Sequence, residues 1–366
     1  MKIKSKVTRK NVVVKVQGLF FVFVIVLLGI GCSQNTEAPK AAFYHWKTKL
    51  NISPSEASTM NQIAVKKLYV KFFDLDINSK KEATPLAVLQ CQEKLQDSLQ
   101  IIPTIFITNR TLQNTSTNSL PKLAEKILLK INSIWPSVSN NQIQEIQLDC
   151  DWTPSTQKKY FQLLTHFQNH LAKAKIENCE LSATIRLHQI KYAQKTGVPP
   201  VDRGMLMFYN MDGLENLKTE NSILNLKVAK QYLNSSTSYE LPLDMALPIF
   251  RWGVLFRNDK MIKLINNLEE ADLRDNTRFE KTTSNHYIVK KSTYLKAYYL
   301  YEDDVIRLES VQEKELVDAA EFLNKIFSDS KRTDDEVTVS FYQLDTTILK
   351  HYSDETLEQV LYEFSK

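Results

Sequence analysis

Two aspartates stand two positions apart at the end of one apolar run, and they are the first candidates for chemistry in this chain. The run covers residues 143–151, and the acids are Asp149 and Asp151. In a strand, alternate side chains share a face, so both carboxylates would point the same way. Two acids held together need a cationic partner, because an unpaired buried carboxylate is costly. Arg186 and His188, again two positions apart in the next run, are the candidate partners.

Acidic and aromatic side chains also end most of the other apolar runs. Carboxylates can act as acid, base or charge stabiliser at the anomeric carbon of a sugar. Flat Trp and Tyr rings pack against the apolar faces of pyranose rings. One carboxylate at the end of a strand often only caps the next helix, but the whole set predicts a ligand-binding site. The further members of the set are Tyr44, Trp46, Asp74, Asp76, Tyr209, Asp212, Arg251, Trp252 and Asp345.

Eight short apolar runs alternate with longer segments of helical periodicity. This order predicts an α/β fold of the (β/α)8 TIM-barrel type, in which all strands end at one mouth. An open, doubly wound sheet is the alternative, but the polar strand ends and the scarcity of glycine favour the barrel. The runs cover residues 42–46, 67–74, 101–107, 143–151, 180–188, 204–210, 245–250 and 337–345, and helices are expected at 120–134, 156–175, 222–233, 311–326 and 354–364.

The connection after the seventh run is too long for a single helix. It contains a strand-like stretch at 285–307 that is rich in Tyr, Val and Ile. We therefore expect a small α+β insertion at 254–310, within a barrel that covers 42–366.

The N-terminus has the order of an export signal. Basic side chains come first, then an apolar stretch at 19–30, then Gly31 and Cys32. The order resembles the lipobox of bacterial lipoproteins, which implies a signal peptide over 1–31, lipidation of Cys32 and a tether over 32–41. It also implies anchoring to a membrane of the bacterial cell envelope, facing the periplasm or the cell surface. An uncleaved signal anchor is the alternative, although the apolar stretch is shorter than the ~20 residues of a spanning helix.

Composition limits the partners and cofactors. The net charge of the 366 residues is +5, but beyond residue 31 there are 41 basic and 42 acidic side chains, so no nucleic-acid partner is predicted. The seven glycines include no cluster of the kind that a nucleotide-binding loop needs, and no cofactor is expected. Besides Cys32 there are three cysteines and no CxxC pair, so neither a disulfide framework nor a metal site is indicated.

Three of the runs carry motifs of a known family. Residues 148–153, with the sequence LDCDWT, resemble the second half of the DxxDxDxE motif of the family 18 glycoside hydrolases, the chitinase-type barrels. Residues 207–211, MFYNM, are similar to the M-x-Y-D of the family's sixth strand. Residues 246–250, ALPIF, are similar to the G-L-P-x-Y of its seventh. The resemblance implies a TIM barrel that takes a glycan, with an α+β insertion after the seventh strand.

The resemblance also assigns roles to individual side chains. In this family the last Glu of the motif protonates the leaving oxygen while the substrate's own N-acetyl group attacks. Asp149, Asp151 and Tyr209 match the positions that support this reaction and are the candidate catalytic residues. Trp152 and Asn210, which lie within the motifs, join the candidates for ligand binding.

The departures from the family pattern concern catalysis. Thr153 stands where the family has its acid, and a threonine hydroxyl does not donate a proton near neutral pH. Ile146 replaces the first Asp of the motif, and Phe341 or Tyr342 replaces the Trp of the eighth strand. We therefore expect negligible chitinase-like turnover.

The sequence is compatible with three functions. The first is a glycoside hydrolase whose acid has moved to Asp76, Asp212 or Asp345. The second is a glycan-binding lipoprotein without activity. The third is a structural or protein-interaction lipoprotein of the cell envelope.

Overall fold

The computed structural model describes residues 38–174, 178–327 and 337–366. The predicted signal peptide, Cys32 and the tether up to residue 37 lie outside the described residues, so lipidation of Cys32 stays a prediction. Within the described ranges, no helix combines the length and the apolar character needed to cross a membrane.

Eight parallel strands form a closed barrel. In chain order they are β1 (Lys40–His45), β2 (Lys67–Ile77), β3 (Gln100–Ile107), β4 (Glu145–Asp149), β5 (Glu180–Arg186), β6 (Arg203–Met207), β7 (Leu243–Pro248) and β8 (Thr338–Tyr342). Each strand pairs with its neighbours in sequence, and β1 pairs with both β2 and β8, which closes the ring. The predicted (β/α)8 barrel is therefore confirmed.

Helices cover the outside of the barrel, because their apolar residues recur every three or four positions and form one buried face. In Leu120–Val138, for example, Leu123, Ile127 and Ile131 are buried. The helices are Pro54–Gln62, Asn109–Asn114, Leu120–Val138, Gln157–Lys173, Leu187–Lys191, Ala193–Thr196, Leu226–Tyr232, Glu313–Phe327, Thr346–Leu349 and Asp354–Glu363, with 3-10 turns at Thr117–Ser119 and Glu270–Leu273.

Charged pairs fill the barrel near the N-terminal ends of its strands. Lys67 Nζ lies 3.1 Å from Glu145 Oε2, and Ser182 Oγ donates a hydrogen bond of 2.7 Å to Glu145 Oε1. Arg203 forms two hydrogen bonds to Asp244, of 2.8 and 3.0 Å. Because each of these buried charges has a partner of opposite sign, the cost of its burial is offset. The barrel is a packed core here and not a channel.

The connection between β7 and β8 carries an insertion that is mainly β-structure. We use "the insertion" for residues 251–310. Its five main strands form an antiparallel sheet in the order Lys260–Asn266, Arg251–Arg257, Val305–Ser310, His286–Val289 and Phe279–Lys281. The remaining short strands within the described ranges are the hairpin Thr293–Leu295 and Tyr298–Leu300, the pair Lys49–Leu50 and Gln90–Cys91, and Ala83–Leu86, which is antiparallel to β2.

The two faces of the insertion's sheet pack against different apolar clusters. Val254 and Phe256 belong to the core of the barrel, whereas Leu255 belongs to a separate cluster within the insertion. Gly253 permits close packing, because a Cβ there would lie 2.3 Å from Leu268 Cδ2. The strand that begins at residue 251 is therefore held firmly above the barrel on both faces.

Candidate functional site

A cavity of about 450 Å³ lies at the mouth of the barrel. The C-terminal ends of the barrel strands and the insertion both contribute to its wall. Its lining combines aromatic rings, amides, two arginines and two carboxylates. The lining residues are Trp46, Phe106, Asp149, Asp151, Arg186, Tyr209, Asn210, Phe250, Arg251, Trp252, Asn266, Asn267, Tyr342 and Gln343.

A larger recess of about 900 Å³ lies beside the insertion and the helix Glu313–Phe327. None of the residues predicted to form a site lines it. We therefore take the cavity at the barrel mouth, which gathers eight of them, as the candidate site.

Asp149 ends β4 and is buried in the mouth. Thr184 Oγ1, on the neighbouring β5, donates a hydrogen bond of 2.6 Å to Asp149 Oδ1. Burial raises the pKa of the Asp149 carboxyl to about 6, an effect that Arg186 opposes and Asp151 reinforces. Near neutral pH this carboxylate is therefore ionised, and its burial lowers the free energy of unfolding.

Asp151 forms an ion pair with Arg186, the last residue of β5. Arg186 Nε and Nη2 both donate to the Asp151 carboxylate, the second over 3.3 Å. The guanidinium carbon also lies 5.6 Å from the centre of the Tyr209 ring. Burial lowers the pKa of Arg186, but the charge of Asp151 and the other neighbouring groups outweigh it, so the pKa is raised and the cation persists. Asp151 and Tyr209 thus meet around one guanidinium.

Five aromatic rings form a continuous wall of the cavity. Tyr342 lies at its centre, with ring centroids 5.7 Å from Trp46, 5.2 Å from Tyr209 and 5.8 Å from Phe250. Trp252 extends the wall at 5.0 Å from Phe250. Rings in tilted and edge-to-face contact stabilise one another and hold the wall in place.

A buried polar network behind the wall orients Trp252. Its Nε1 donates a hydrogen bond of 2.7 Å to Glu309 Oε2, which also accepts one of 2.5 Å from Ser222 Oγ. Arg307 Nε donates to the other carboxylate oxygen over 2.5 Å, and both charged side chains are fully buried. The indole is therefore held by a hydrogen bond as well as by packing.

Three of the predicted ligand contacts lie away from the cavity. Tyr44 is buried inside the barrel, where its hydroxyl donates a hydrogen bond of 2.7 Å to Gln147 Oε1. Trp152 faces the helical layer, where its Nε1 donates to Thr196 O over 2.9 Å, so it offers no free ring face to a sugar. His188 belongs to the helix Leu187–Lys191 and is exposed, because β5 ends before it.

Four predicted acids also lie outside the lining, each held by a local partner. Asp74 pairs with Lys71 at 3.0 Å, and Asp345 pairs with Lys47 at the same distance. The hydrogen bonds from Arg110 lower the pKa of Asp76 to about 2. Asp212 lies in the loop after β6 and accepts a hydrogen bond of 2.7 Å from the N–H of Gly213. These carboxylates do not supply the cavity with another acid.

Thr153, at the position of the family's acid, is engaged at the start of a helix. Its Oγ1 lies 2.9 Å from Ser155 Oγ and 3.2 Å from Thr156 Oγ1. It does not line the cavity. Across the part of the chain that the structure describes, no group of three or more His, Cys, Asp or Glu side chains is arranged to hold a metal ion.

Several lining residues were not among the predicted contacts. Phe250 ends the predicted run 245–250 and Tyr342 lies within the run 337–345, so their aromatic character could have indicated them. Asn266 and Asn267 come from the insertion, and nothing in their local sequence connects them with the strand ends.

Sequence comparison finds no matching family model and no matching curated protein. Solved structures do match over most of the chain. The spore cortex-lytic enzyme SleL of Bacillus megaterium has a TM-score of 0.51 at 10% identity, covering 91% of this chain and 76% of its own. The Group IV chitinase of Ostrinia furnacalis has a TM-score of 0.51 at 10% identity, covering 90% and 100% respectively. The chain has the fold of the family 18 chitinases.

A third match bears on the same fold. It is a variant of a GH18 chitinase from Cycas revoluta in complex with (GlcNAc)4, with a TM-score of 0.50 at 10% identity, covering 89% of this chain and 98% of its own. The predicted resemblance is confirmed at the level of the chitinase fold.

Proposed function

We propose that the mouth cavity binds a glycan and that the chain does not carry out chitinase-type hydrolysis. The protein then acts as a carbohydrate-binding lipoprotein of the bacterial cell envelope, anchored through lipid on Cys32. The observation that carries this proposal is the composition of the cavity: five aromatic rings in one wall, with Asp149 and Asp151 as the two carboxylates of the lining.

The size and polarity of the cavity support a sugar ligand. A volume of about 450 Å³ is within the range of small-ligand sites. Aromatic faces suit the C–H surfaces of pyranose rings, and the amides of Asn210, Asn266 and Gln343 can form hydrogen bonds to hydroxyl groups. The chitinase of the same fold that binds (GlcNAc)4 supports an N-acetylglucosamine oligomer as the first ligand to test.

The state of the two carboxylates supports binding over hydrolysis. Glycosidases use a pair of acids, of which one must be free to donate a proton. Asp151 forms an ion pair with Arg186, and Asp149 is buried and accepts a hydrogen bond from Thr184. Thr153 offers only a hydroxyl.

The test is direct binding by the full-length chain, purified in detergent. A glycan array identifies the class of ligand, and calorimetry with (GlcNAc)4 measures its affinity. We expect Trp46→Ala to weaken binding by about tenfold, because it removes one ring of the aromatic wall. Tyr294→Ala is the matched control, since Tyr294 is an exposed aromatic residue outside the cavity. Failure of every glycan to bind would overturn the proposal.

A further inference from the structure

Arg251 lines the cavity, and no carboxylate of the described residues forms an ion pair with it. It is half-buried, and its Nε is buried without a hydrogen-bond acceptor among the described residues. The nearby acid Glu269 is already engaged by Lys350 at 2.7 Å and by His351 at 3.4 Å. Burial lowers the pKa of Arg251, as expected for a cation that has lost water and gained no close anion.

The other arginine of the cavity is in a different state. Arg186 is paired with Asp151, so its charge is largely neutralised. Of the two arginines in the lining, Arg251 is thus the one whose positive charge can attract an anionic ligand.

The charges of the cavity are separated across the barrel. Asp149 ends β4, whereas Arg251 follows β7, and β5 and β6 lie between these strands in the ring. A ligand that spans the mouth therefore meets carboxylates on one side and an unpaired guanidinium on the other. An anionic group on the ligand is attracted to the second side and repelled from the first.

We propose that Arg251 binds the carboxylate of an acidic sugar unit, so that the cavity selects a carboxylated glycan over a neutral one. This inference rests on the proposed function of the same cavity. A guanidinium presents a planar fork of N–H donors that matches the two oxygens of a carboxylate.

The experiment compares two probes that differ in the carboxylate alone. One is a hyaluronan tetrasaccharide, in which N-acetylglucosamine alternates with glucuronate, and the other is the same tetrasaccharide with its carboxyl groups reduced to alcohols. Calorimetry is performed on the full-length chain in detergent. We expect the dissociation constant of the carboxylated probe to be at least about tenfold lower than that of the reduced probe. This ratio corresponds to the free energy of a charge-assisted hydrogen bond.

Variants assign the preference to one side chain. Arg251→Gln should bring the ratio of the two affinities close to one, and Arg251→Lys should retain an intermediate ratio because it keeps the charge and loses the fork. Arg274→Gln is the matched control, since Arg274 is an exposed arginine of the insertion outside the cavity.

The outcomes separate this inference from the proposed function. Equal affinity of the wild type for both probes, or binding of neutral glycans alone, overturns the role of Arg251 and leaves glycan binding standing. A preference that survives in Arg251→Gln also overturns it. If neither probe nor (GlcNAc)4 binds, the proposed function itself fails.

Discussion

Thr153 is the residue on which the proposed absence of chitinase-type hydrolysis depends. The residue stands where the family has glutamate, but its hydroxyl contacts Ser155 and Thr156 at the start of a helix. Of the two carboxylates that line the cavity, Asp151 is paired with Arg186, and Asp149 accepts a hydrogen bond from Thr184. The loss of a positioned acid typically removes ~10²–10⁴-fold in rate.

We therefore predict no turnover of a fluorogenic chitobiose glycoside above background, at pH 5 and at pH 7. Thr153→Glu should stay at background as well, because position 153 lies at the helix start and not in the cavity lining. Release of the fluorophore is followed with the full-length chain. Robust release by the wild type that Asp151→Asn abolishes would contradict this prediction.

Asp149 gives the protein a stability that depends on pH. An unperturbed aspartate titrates near 3.8 and this one at about 6, so the folded state binds the proton more tightly than the unfolded state. Below pH ~4 the carboxyl is protonated in both the folded and the unfolded state, so Asp149 does not lower the free energy of unfolding. Between pH ~4 and ~6 that free energy falls as the pH rises, and above this range it is lower by up to about 3 kcal/mol because the ionised carboxylate is buried.

Asp149→Asn should therefore be more stable than the wild type at pH 8, by about 1–3 kcal/mol, and should lose this advantage at pH 4. Urea unfolding followed by tryptophan fluorescence at both pH values measures the difference. Asp212→Asn is the control, because Asp212 lies in the loop after β6 and outside the cavity lining. The same pH dependence in the wild type and in Asp149→Asn would show that Asp149 is not the group responsible.

The strand of the insertion that lines the cavity depends on a buried ion pair. Glu309 accepts hydrogen bonds from Trp252 and Arg307, and neither charged side chain reaches solvent. Removal of one partner from such a pair leaves an uncompensated charge and typically costs about 3–5 kcal/mol.

We predict that Arg307→Met destabilises the protein by about this amount and changes the fluorescence of Trp252. The double variant Arg307→Met with Glu309→Gln should recover part of the loss, since it removes the stranded charge. Urea unfolding and emission spectra test both effects. Lys314→Met, which breaks an exposed pair with Asp318, should leave unfolding unchanged.

The elements of the barrel were largely predictable, and the wall of the cavity was only partly so. Alternation of apolar runs and helical segments located all eight strands, because burial on both faces leaves a strong pattern. The prediction extended the fifth strand too far, since Gln189 Oε1 accepts a hydrogen bond from the N–H of Arg186 and a helix begins there. His188 therefore does not share a strand face with Arg186, as the alternation of side chains had predicted.

The contribution of the insertion to the cavity could not be predicted from local sequence patterns. Asn266 and Asn267 reach the cavity through tertiary packing of the sheet, and the spacing of residues along the chain does not indicate this packing. Trp152 was predicted to contact the ligand because of its position in the motif. It instead packs against Tyr160 in the helical layer.

The whole molecule is expected to be attached to a membrane. Basic residues, an apolar stretch and Cys32 occur in lipoprotein order, so Cys32→Ser should release the protein from membranes or leave the precursor unprocessed. Intact-mass measurement and membrane fractionation test this. Cys91→Ser is the matched control and should remain membrane-bound. A wild-type Cys32 that carries no lipid would refute the prediction.

The separate apolar cluster of the insertion has a dynamic consequence. Ten buried residues form this cluster, apart from the core of the barrel. Units with their own cores can open by local unfolding while the remainder stays folded, and amide hydrogen exchange detects them as one cooperative group. A ligand held between the barrel and Arg251 would couple the two units and suppress that opening. Ligand occupancy would then slow amide exchange throughout the insertion, well beyond the side chains that the ligand touches.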